Sequence, residues 1–210
     1  PNVAAEYLRV FNKVIRLREE IIKKFPAIKL NHLVSMTDNV GIIHHAKHSI
    51  PNRKTGYTLD DNARALIAAA KHYGIFKSQQ SLRLINTYLS FIHYAQEENG
   101  KFHNLFDYEK RPLDSEGSED SFGRALSACG YVVSSKVHEN IKATAKFIFD
   151  NAVKSVGSLN SLRAKAFSII GLYHYYQKYK HEDILDKARA LADCLVHAYD
   201  ANSSGEWEWF

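Results

Sequence analysis

Apolar residues recur every three or four positions along most of the chain, which is the spacing of helices that bury one face. This pattern predicts seven helices. They span Ala4–Lys24, Leu59–Tyr73, Gln80–Glu97, Ser121–Val133, Val137–Val153, Ser161–Tyr179 and Glu182–Tyr199. Runs of alternating β-branched residues are missing and the sequence has only 4 prolines, so we expect an all-α protein. Glycine and proline interrupt residues Lys29–Thr58, which should be irregular.

The predicted connections alternate between short and long. Short connections join antiparallel neighbours into helical hairpins. The helices that follow long connections carry small and apolar residues around their circumference, which favours an inner layer packed on both sides. Their partners carry a single apolar stripe and fit an outer layer. Two concentric layers of hairpins form an α/α toroid, in which every long connection delivers its residues to one rim of the inner layer.

Adjacent acidic residues stand at the start of two predicted inner helices. The segments are "GYTLDDNAR" (Gly56–Arg64) and "GSEDSFGRAL" (Gly117–Leu126). Acids in a first helical turn complement the helix dipole, which is one sufficient reason for them. An arginine one turn later, at Arg64 and Arg124, opposes that dipole. Its position suggests pairing with carboxylates across the rim or contact with sugar hydroxyls.

Four carboxylates are candidate catalytic groups if the protein is an enzyme. Inverting glycoside cleavage needs one carboxylic acid and one carboxylate on opposite sides of the bond. A first-turn acid suits the base or a sugar-binding role, because the helix N-terminus favours its ionised form. We therefore expect Asp61 and Asp120 to act as base or binding group, and Glu119 or Asp38 to act as acid.

Aromatic and polar side chains near the same segments are candidates for binding the substrate. Aromatic rings stack on sugar rings, while carboxylate, amide, guanidinium and imidazole groups bind hydroxyls. The candidates are His45, Tyr57, Asp60, Arg64, His103, Asn104, Arg124 and Trp207. Each also has a structural alternative, in a cap, a loop or the core.

The histidine-rich segment "HHAKH" allows a second interpretation. On a helix, His44 and His48 would face the same way and could bind a metal. The segment lies between Gly41 and Pro51, however, and lacks an acidic third ligand at a regular offset. We expect no metal and no other cofactor, since phosphate-loop, dinucleotide and nucleophile-elbow motifs are also missing.

The distribution of charge and the length of the apolar runs argue against a nucleic-acid-binding protein and a membrane-spanning protein. The net charge of +5 arises within the first 60 residues, which hold 10 basic and 5 acidic side chains. This small excess does not form a phosphate-binding stripe, so we expect no nucleic-acid partner. No apolar run approaches the length of a membrane span, and no signal pattern opens the sequence. We expect a cytoplasmic protein in which Cys129 and Cys194 are free core thiols.

Several motifs together resemble a known family. They are "HLVSMTDNVGIIHHAKHSIP", "GYTLDDNARALIAA", "FHNLFDYEK", "GSEDSFGRALSACG" and "WEWF", spread over residues 32–210. They are similar to the (α/α)6-toroid, glycosidase-like domain that often follows a GT-B-type glycosyltransferase domain in bacterial proteins. The resemblance implies a linking amphipathic helix in residues 1–28 and a toroid domain in 29–210. It also implies that this chain holds about half of the ring.

The leading hypothesis is a carbohydrate-active domain that binds, and if catalytic hydrolyses, a glycan in polysaccharide metabolism beside a glycosyltransferase. Its partners would be a glycan and the glycosyltransferase domain or the remainder of the parent polypeptide. A half-ring could also form a homo-oligomer. The alternatives are a non-catalytic glycan-binding or scaffolding module and a sugar epimerase. An epimerase would need facing histidines, for which His45 and His103 are the candidates.

Overall fold

A computed structural model describes residues 3–20 and 27–204. The chain divides into two compact units, Pro1–Leu30 and Asn31–Phe210. The first contains helix α1, Val3–Glu20. The continuation predicted as far as Lys24 lies outside the described residues.

The second unit is built from helical hairpins. Its helices are α2 (Asn31–Ser35), α3 (Leu59–Phe76), α4 (Gln79–Ala95), α5 (Glu119–Ser134), α6 (Glu139–Ala152), α7 (Leu162–Tyr179) and α8 (Glu182–Asn202). The pairs α3–α4, α5–α6 and α7–α8 are joined by connections of two to four residues. All six long helices predicted for this unit are present, with ends shifted by a few residues. No helix in the described ranges has the length and hydrophobicity of a membrane span.

Helices α5 and α7 pack backbone against backbone. A Cβ added to Gly123 would lie 2.6 Å from the carbonyl oxygen of Ala164, and one added to Gly130 would lie 2.2 Å from that of Gly171. Both contacts advance by seven residues along each helix, so the two helices run in the same direction. Helix α5 is buried on all sides, as expected for an inner layer.

Helix α3 begins at the same end of the layer as α5. The Leu59 amide donates to the carbonyl oxygen of Asn104 at 2.9 Å, and the Gly117 amide donates to that of Phe102 at 2.7 Å. One short segment therefore holds both helix starts. Further along, the Lys71 ammonium lies 5.6 Å from the centre of the Tyr131 ring. Helices α3, α5 and α7 thus form a parallel inner layer, and their first turns form one rim.

Helices α4 and α6 lie outside that layer and bury one face each. In α4 the apolar stripe includes Ile85, Leu89 and Ile92, each at most 3% exposed. Burying a side chain of this size stabilises the fold by roughly 1.5–3 kcal/mol. Parallel inner helices backed by antiparallel outer ones are the arrangement of an α/α toroid.

The connections contain more structure than the sequence pattern predicts. Strands β1 (Ala46–Lys47) and β2 (Ile50–Pro51) form a hairpin in the segment expected to be irregular. Strands β3 (Tyr57–Thr58) and β4 (Leu105–Phe106) pair antiparallel and join two distant connections. Two-residue strands are too short to show a hydrophobic period, so the sequence pattern does not predict them.

Candidate functional site

Hydroxyl side chains cap all three inner helices. Thr58 accepts from the Asp61 amide, Ser118 from the Ser121 amide and Ser161 from the Ala164 amide. Each cap satisfies one of the free amides at a helix start. The carboxylates in the first turns of α3 and α5 are therefore not needed for capping, and their contacts have other consequences.

Asp61 is the centre of one polar cluster. Its Oδ2 atom accepts from Thr58 Oγ1 at 2.7 Å and lies 2.7 Å from His44 Nδ1. Its Oδ1 atom accepts from the Arg64 guanidinium at 2.5 Å. The Asp61 side chain is 21% exposed to solvent. Asp61 thus holds a histidine and an arginine in place while remaining at the surface of the rim.

His44 is positioned by backbone pairing. Its amide donates to the carbonyl oxygen of Gly56 at 2.9 Å, and a bridge joins Ile43 to Tyr57. Because the Asp61 carboxylate accepts at Nδ1, that nitrogen carries the proton and Nε2 is the acceptor of a neutral ring. Nε2 has no partner within the described part of the chain, and the side chain is 31% exposed. His44 is therefore oriented like a general base.

Asp60 and Arg64 form a neighbouring ion pair at 3.0 Å. Asn104 supports this turn because its Oδ1 atom accepts from the Asp60 amide at 3.2 Å. Arg64 also binds Asp61, so one guanidinium holds both adjacent acids. The early arginine thus compensates the charges of the turn in which it stands.

Asp38 lies on the loop that precedes His44. Its Oδ2 atom accepts from the Tyr57 hydroxyl at 2.7 Å, while Oδ1 accepts from the amides of Val40 and Gly41. Tyr57 is only 1% exposed. Burial, followed by the hydrogen bond to Asp38, raises the pKa of its hydroxyl. Tyr57 therefore positions Asp38 from within the core.

The second acidic pair connects α5 to α7. Asp120 accepts from Arg124 at 3.0 Å and from Arg163 at 2.6 Å. Glu119 accepts from the amides of Ser161 and Asn160 at 2.5 and 2.8 Å. The Ser161 amide is the main cause that lowers the pKa of Glu119. Glu119 thus binds the two residues that precede α7, and Asp120 binds Arg163 in its first turn, so both acids fix the rim.

The two histidines considered for a facing pair have different surroundings. The ring nitrogens of His103 lie 3.0 Å from Glu97 and 3.3 Å from Asp114, so neither nitrogen is free. His45 is exposed, and its ring centre lies 3.7 Å from that of His44. His44 differs from both, because one of its ring nitrogens is held by Asp61 while the other has no partner among the described residues. The sequence pattern indicates only a metal-binding role for it.

The structure thus brings most of the predicted site residues to one rim. Asp38, His45, Asp60, Asp61, Arg64, Asn104, Glu119, Asp120 and Arg124 lie on or beside the first turns of α3 and α5. Arg163 joins them from the first turn of α7, although it is not among the predicted site residues. Trp207 lies outside the described residues. Each rim carboxylate already accepts from a cation, hydroxyl or amide, so these groups are placed as acceptors.

No protein-family model and no curated protein matches this chain. Solved structures do resemble it. A cellobiose 2-epimerase from Bacillus thermoamylovorans B4167 superposes with a TM-score of 0.65 at 14% sequence identity, over 78% of this chain and 51% of the epimerase. A sugar epimerase from a ruminal bacterium gives 0.63 at 14% identity, over 76% and 49%.

The comparison establishes the fold class. Both epimerases are α/α toroids, and the three hairpins described here have the same arrangement. The chain spans about half the length of these two enzymes. At this level of identity the likeness concerns the fold alone.

Proposed function

We propose that the rim of the inner helices binds a sugar and that His44, held by Asp61, transfers a proton on that sugar. The 2.7 Å contact between His44 Nδ1 and Asp61 carries this proposal, because it leaves Nε2 as an exposed acceptor. The reaction class is epimerisation or isomerisation. The two structural neighbours, a cellobiose 2-epimerase and a sugar epimerase, are consistent with this class.

The proposed reaction requires proton transfer at the carbon next to the sugar carbonyl. Nε2 of a neutral His44 would accept the proton from the carbon next to the carbonyl of an open-chain sugar, and the electron pair would move to the carbonyl oxygen. The enediolate would then turn its opposite face to His44, the imidazolium would return a proton to the carbon, and the electron pair on oxygen would re-form the carbonyl, which gives the epimer. Asp61 would stabilise the imidazolium formed on the way, as a carboxylate does in other histidine-based sites.

Glycoside hydrolysis receives less support from the same geometry. A hydrolase of this class needs a carboxylic acid that can protonate the leaving oxygen. Asp60 and Asp61 bind Arg64, and Asp120 binds Arg124 and Arg163. Glu119 has a lowered pKa, which is unsuited to a proton donor at neutral pH. Hydrolysis by these acids would require the ion pairs to rearrange.

A glycan-binding module without catalysis is the second candidate. The observation that favours it is that the rim acids Asp60, Asp61 and Asp120 are paired with arginines. These ion pairs hold hydrogen-bond acceptors and donors for sugar hydroxyls in fixed positions and leave few mobile groups. The placement beside a glycosyltransferase domain, a cytoplasmic location and association with the remainder of a parent polypeptide stay proposals, supported by the motif resemblance.

Exchange of carbon-bound hydrogen separates these functions. The chain is incubated in D2O with a panel of aldoses and cellobiose, and loss of the C2 proton signal is followed by NMR. Proton transfer predicts exchange by the wild type and none by His44→Asn. The control is His48→Asn, at an exposed position with φ of 58°, where asparagine is well tolerated.

The possible results of this experiment distinguish the two candidate functions. Exchange that survives in His44→Asn contradicts the role of His44. A sugar that binds at the rim without exchange supports the binding module instead. Failure of every sugar to bind contradicts both candidates.

A further inference from the structure

A groove runs down the inner layer from the rim, where Arg64 and Arg124 line it. Its volume is about 310 Å3, and its walls include Ile67, Lys71, Ser127, Tyr131, Ile170 and His174. Each of the three inner helices contributes residues spaced by three and four positions, so the groove follows their shared exposed face. We call it the inner groove. Its volume lies within the range of small-ligand pockets.

The charges that line the inner groove are all positive. Among the described residues that line it are three cations, Arg64, Lys71 and Arg124, and no carboxylate. Arg64 and Arg124 are neutralised by the acids of the rim. Lys71 has no carboxylate partner within the described residues, and its ammonium contacts only the face of Tyr131, at 5.6 Å. The groove therefore holds one uncompensated positive charge.

His174 supplies an acceptor beside that charge. Ser134 Oγ donates to the carbonyl oxygen of Tyr131 at 3.0 Å, so its lone pair accepts from His174 Nδ1 at 3.3 Å. This arrangement leaves Nε2 unprotonated, and no described residue is hydrogen-bonded to it. Burial, followed by the charge of Lys71, lowers the pKa of His174. A lowered pKa favours the neutral ring, in which Nε2 can accept from a hydroxyl group.

Apolar side chains complete the site. Phe167 and Ile170 of α7 face Ile67 of α3 across the groove, and Ile170 is 47% exposed. The Phe167 ring is covered on one side by the Arg124 guanidinium, 4.2 Å from the ring centre. A wall of this kind suits the C–H face of a sugar ring, whose hydroxyls point to the sides.

We infer that the inner groove binds an acidic sugar, with its carboxylate or phosphate at Lys71, a hydroxyl at His174 Nε2 and its ring against Phe167 and Ile170. This inference rests on the proposed function, because it names the class of sugar that the protein takes. A neutral sugar would leave the Lys71 charge unused. An anion without a ring would leave the apolar wall exposed.

The test compares three probes on the full chain. D-glucuronate, D-glucose 6-phosphate and D-glucose are titrated into the isotopically labelled protein, and dissociation constants are taken from NMR shifts. We expect at least one acidic sugar to bind about tenfold more tightly than glucose, the gain expected of one hydrogen bond to a charged group. Tighter binding of glucuronate assigns the anion to a carboxylate, and tighter binding of glucose 6-phosphate assigns it to a phosphate.

Lys71→Gln provides the decisive variant. It should abolish the preference for the acidic sugar and leave glucose binding unchanged, since a glutamine keeps much of the length but not the charge. Lys178→Gln, at an exposed position near the end of α7, is the matched control and should keep the preference.

Three results would overturn the inference. In the first, all three probes bind with equal affinity. In the second, Lys71→Gln and Lys178→Gln lose the same amount of affinity for the acidic sugar. In the third, none of the probes binds. Glucose binding that depends on Asp61 but shows no acidic preference would refute the inference alone and leave the proposed function standing.

Discussion

Gly130 of α5 and Gly171 of α7 touch through their backbones. A Cβ on Gly130 would lie 2.2 Å from the carbonyl oxygen of Gly171, closer than any real contact. This approach sets the distance between two neighbouring inner helices and hence the spacing of the acids and arginines at the rim.

Gly130→Ala should therefore destabilise the fold. The added methyl group must push α5 and α7 apart, and overpacking of this kind costs about 1–3 kcal/mol. Urea unfolding of the variant and the wild type measures the loss. Gly74→Ala is the control, because a Cβ there meets nothing within 4 Å. It should stabilise α3 by about 0.4–1 kcal/mol. Equal effects of the two changes would refute the close packing.

The two cysteines should differ in reactivity. Cys129 is fully buried, and burial raises the pKa of its thiol to about 12. Cys194 is exposed, which corrects the prediction that both are core thiols. A thiol-specific disulfide reagent at pH 8 should modify one thiol in the native protein and two after unfolding, because only the thiolate reacts. Rapid modification of both thiols in the native protein would contradict the packing around α5.

Glu119 should make stability depend on pH. Its folded pKa lies below the ordinary value of 4.5, chiefly because of the Ser161 amide. A lowered pKa contributes stability above the unfolded value, and that contribution disappears as the pH falls through the folded value. Glu119→Gln should thus be less stable than the wild type at pH 7, with a gap that closes below about pH 4.5. A gap that stays constant down to pH 3 would assign the loss to packing.

The fold could be predicted from the sequence because helices of this length repeat their apolar period several times. The stripe of α4 and the small residues of α5 each distinguish an outer from an inner helix. Parallel inner helices then place Asp60, Asp61, Glu119 and Asp120 on one rim, as predicted, since each pair follows a long connection.

The residues that bind these acids were harder to predict from the sequence. His44 reaches Asp61 through the bridge of Ile43 to Tyr57, and a single bridge has no periodic signal. Arg163 reaches Asp120 only because α5 and α7 approach so closely. Tyr57 was predicted from its aromatic character to contact substrate, whereas its burial could be recognised only from the pairing of β3 with β4.

Sugar binding at the Asp61–His44 contact is the most direct test of the proposed function. The imidazole signals of His44 are followed by NMR during titration with the sugars that bind, in the wild type and in Asp61→Asn. We predict that the His44 signals shift in the wild type and that binding weakens about tenfold in the variant. Its free energy of unfolding should fall by less than about 1 kcal/mol, because the amide still accepts from Thr58. Unchanged binding in Asp61→Asn, with His44 signals that do not move, would contradict the account.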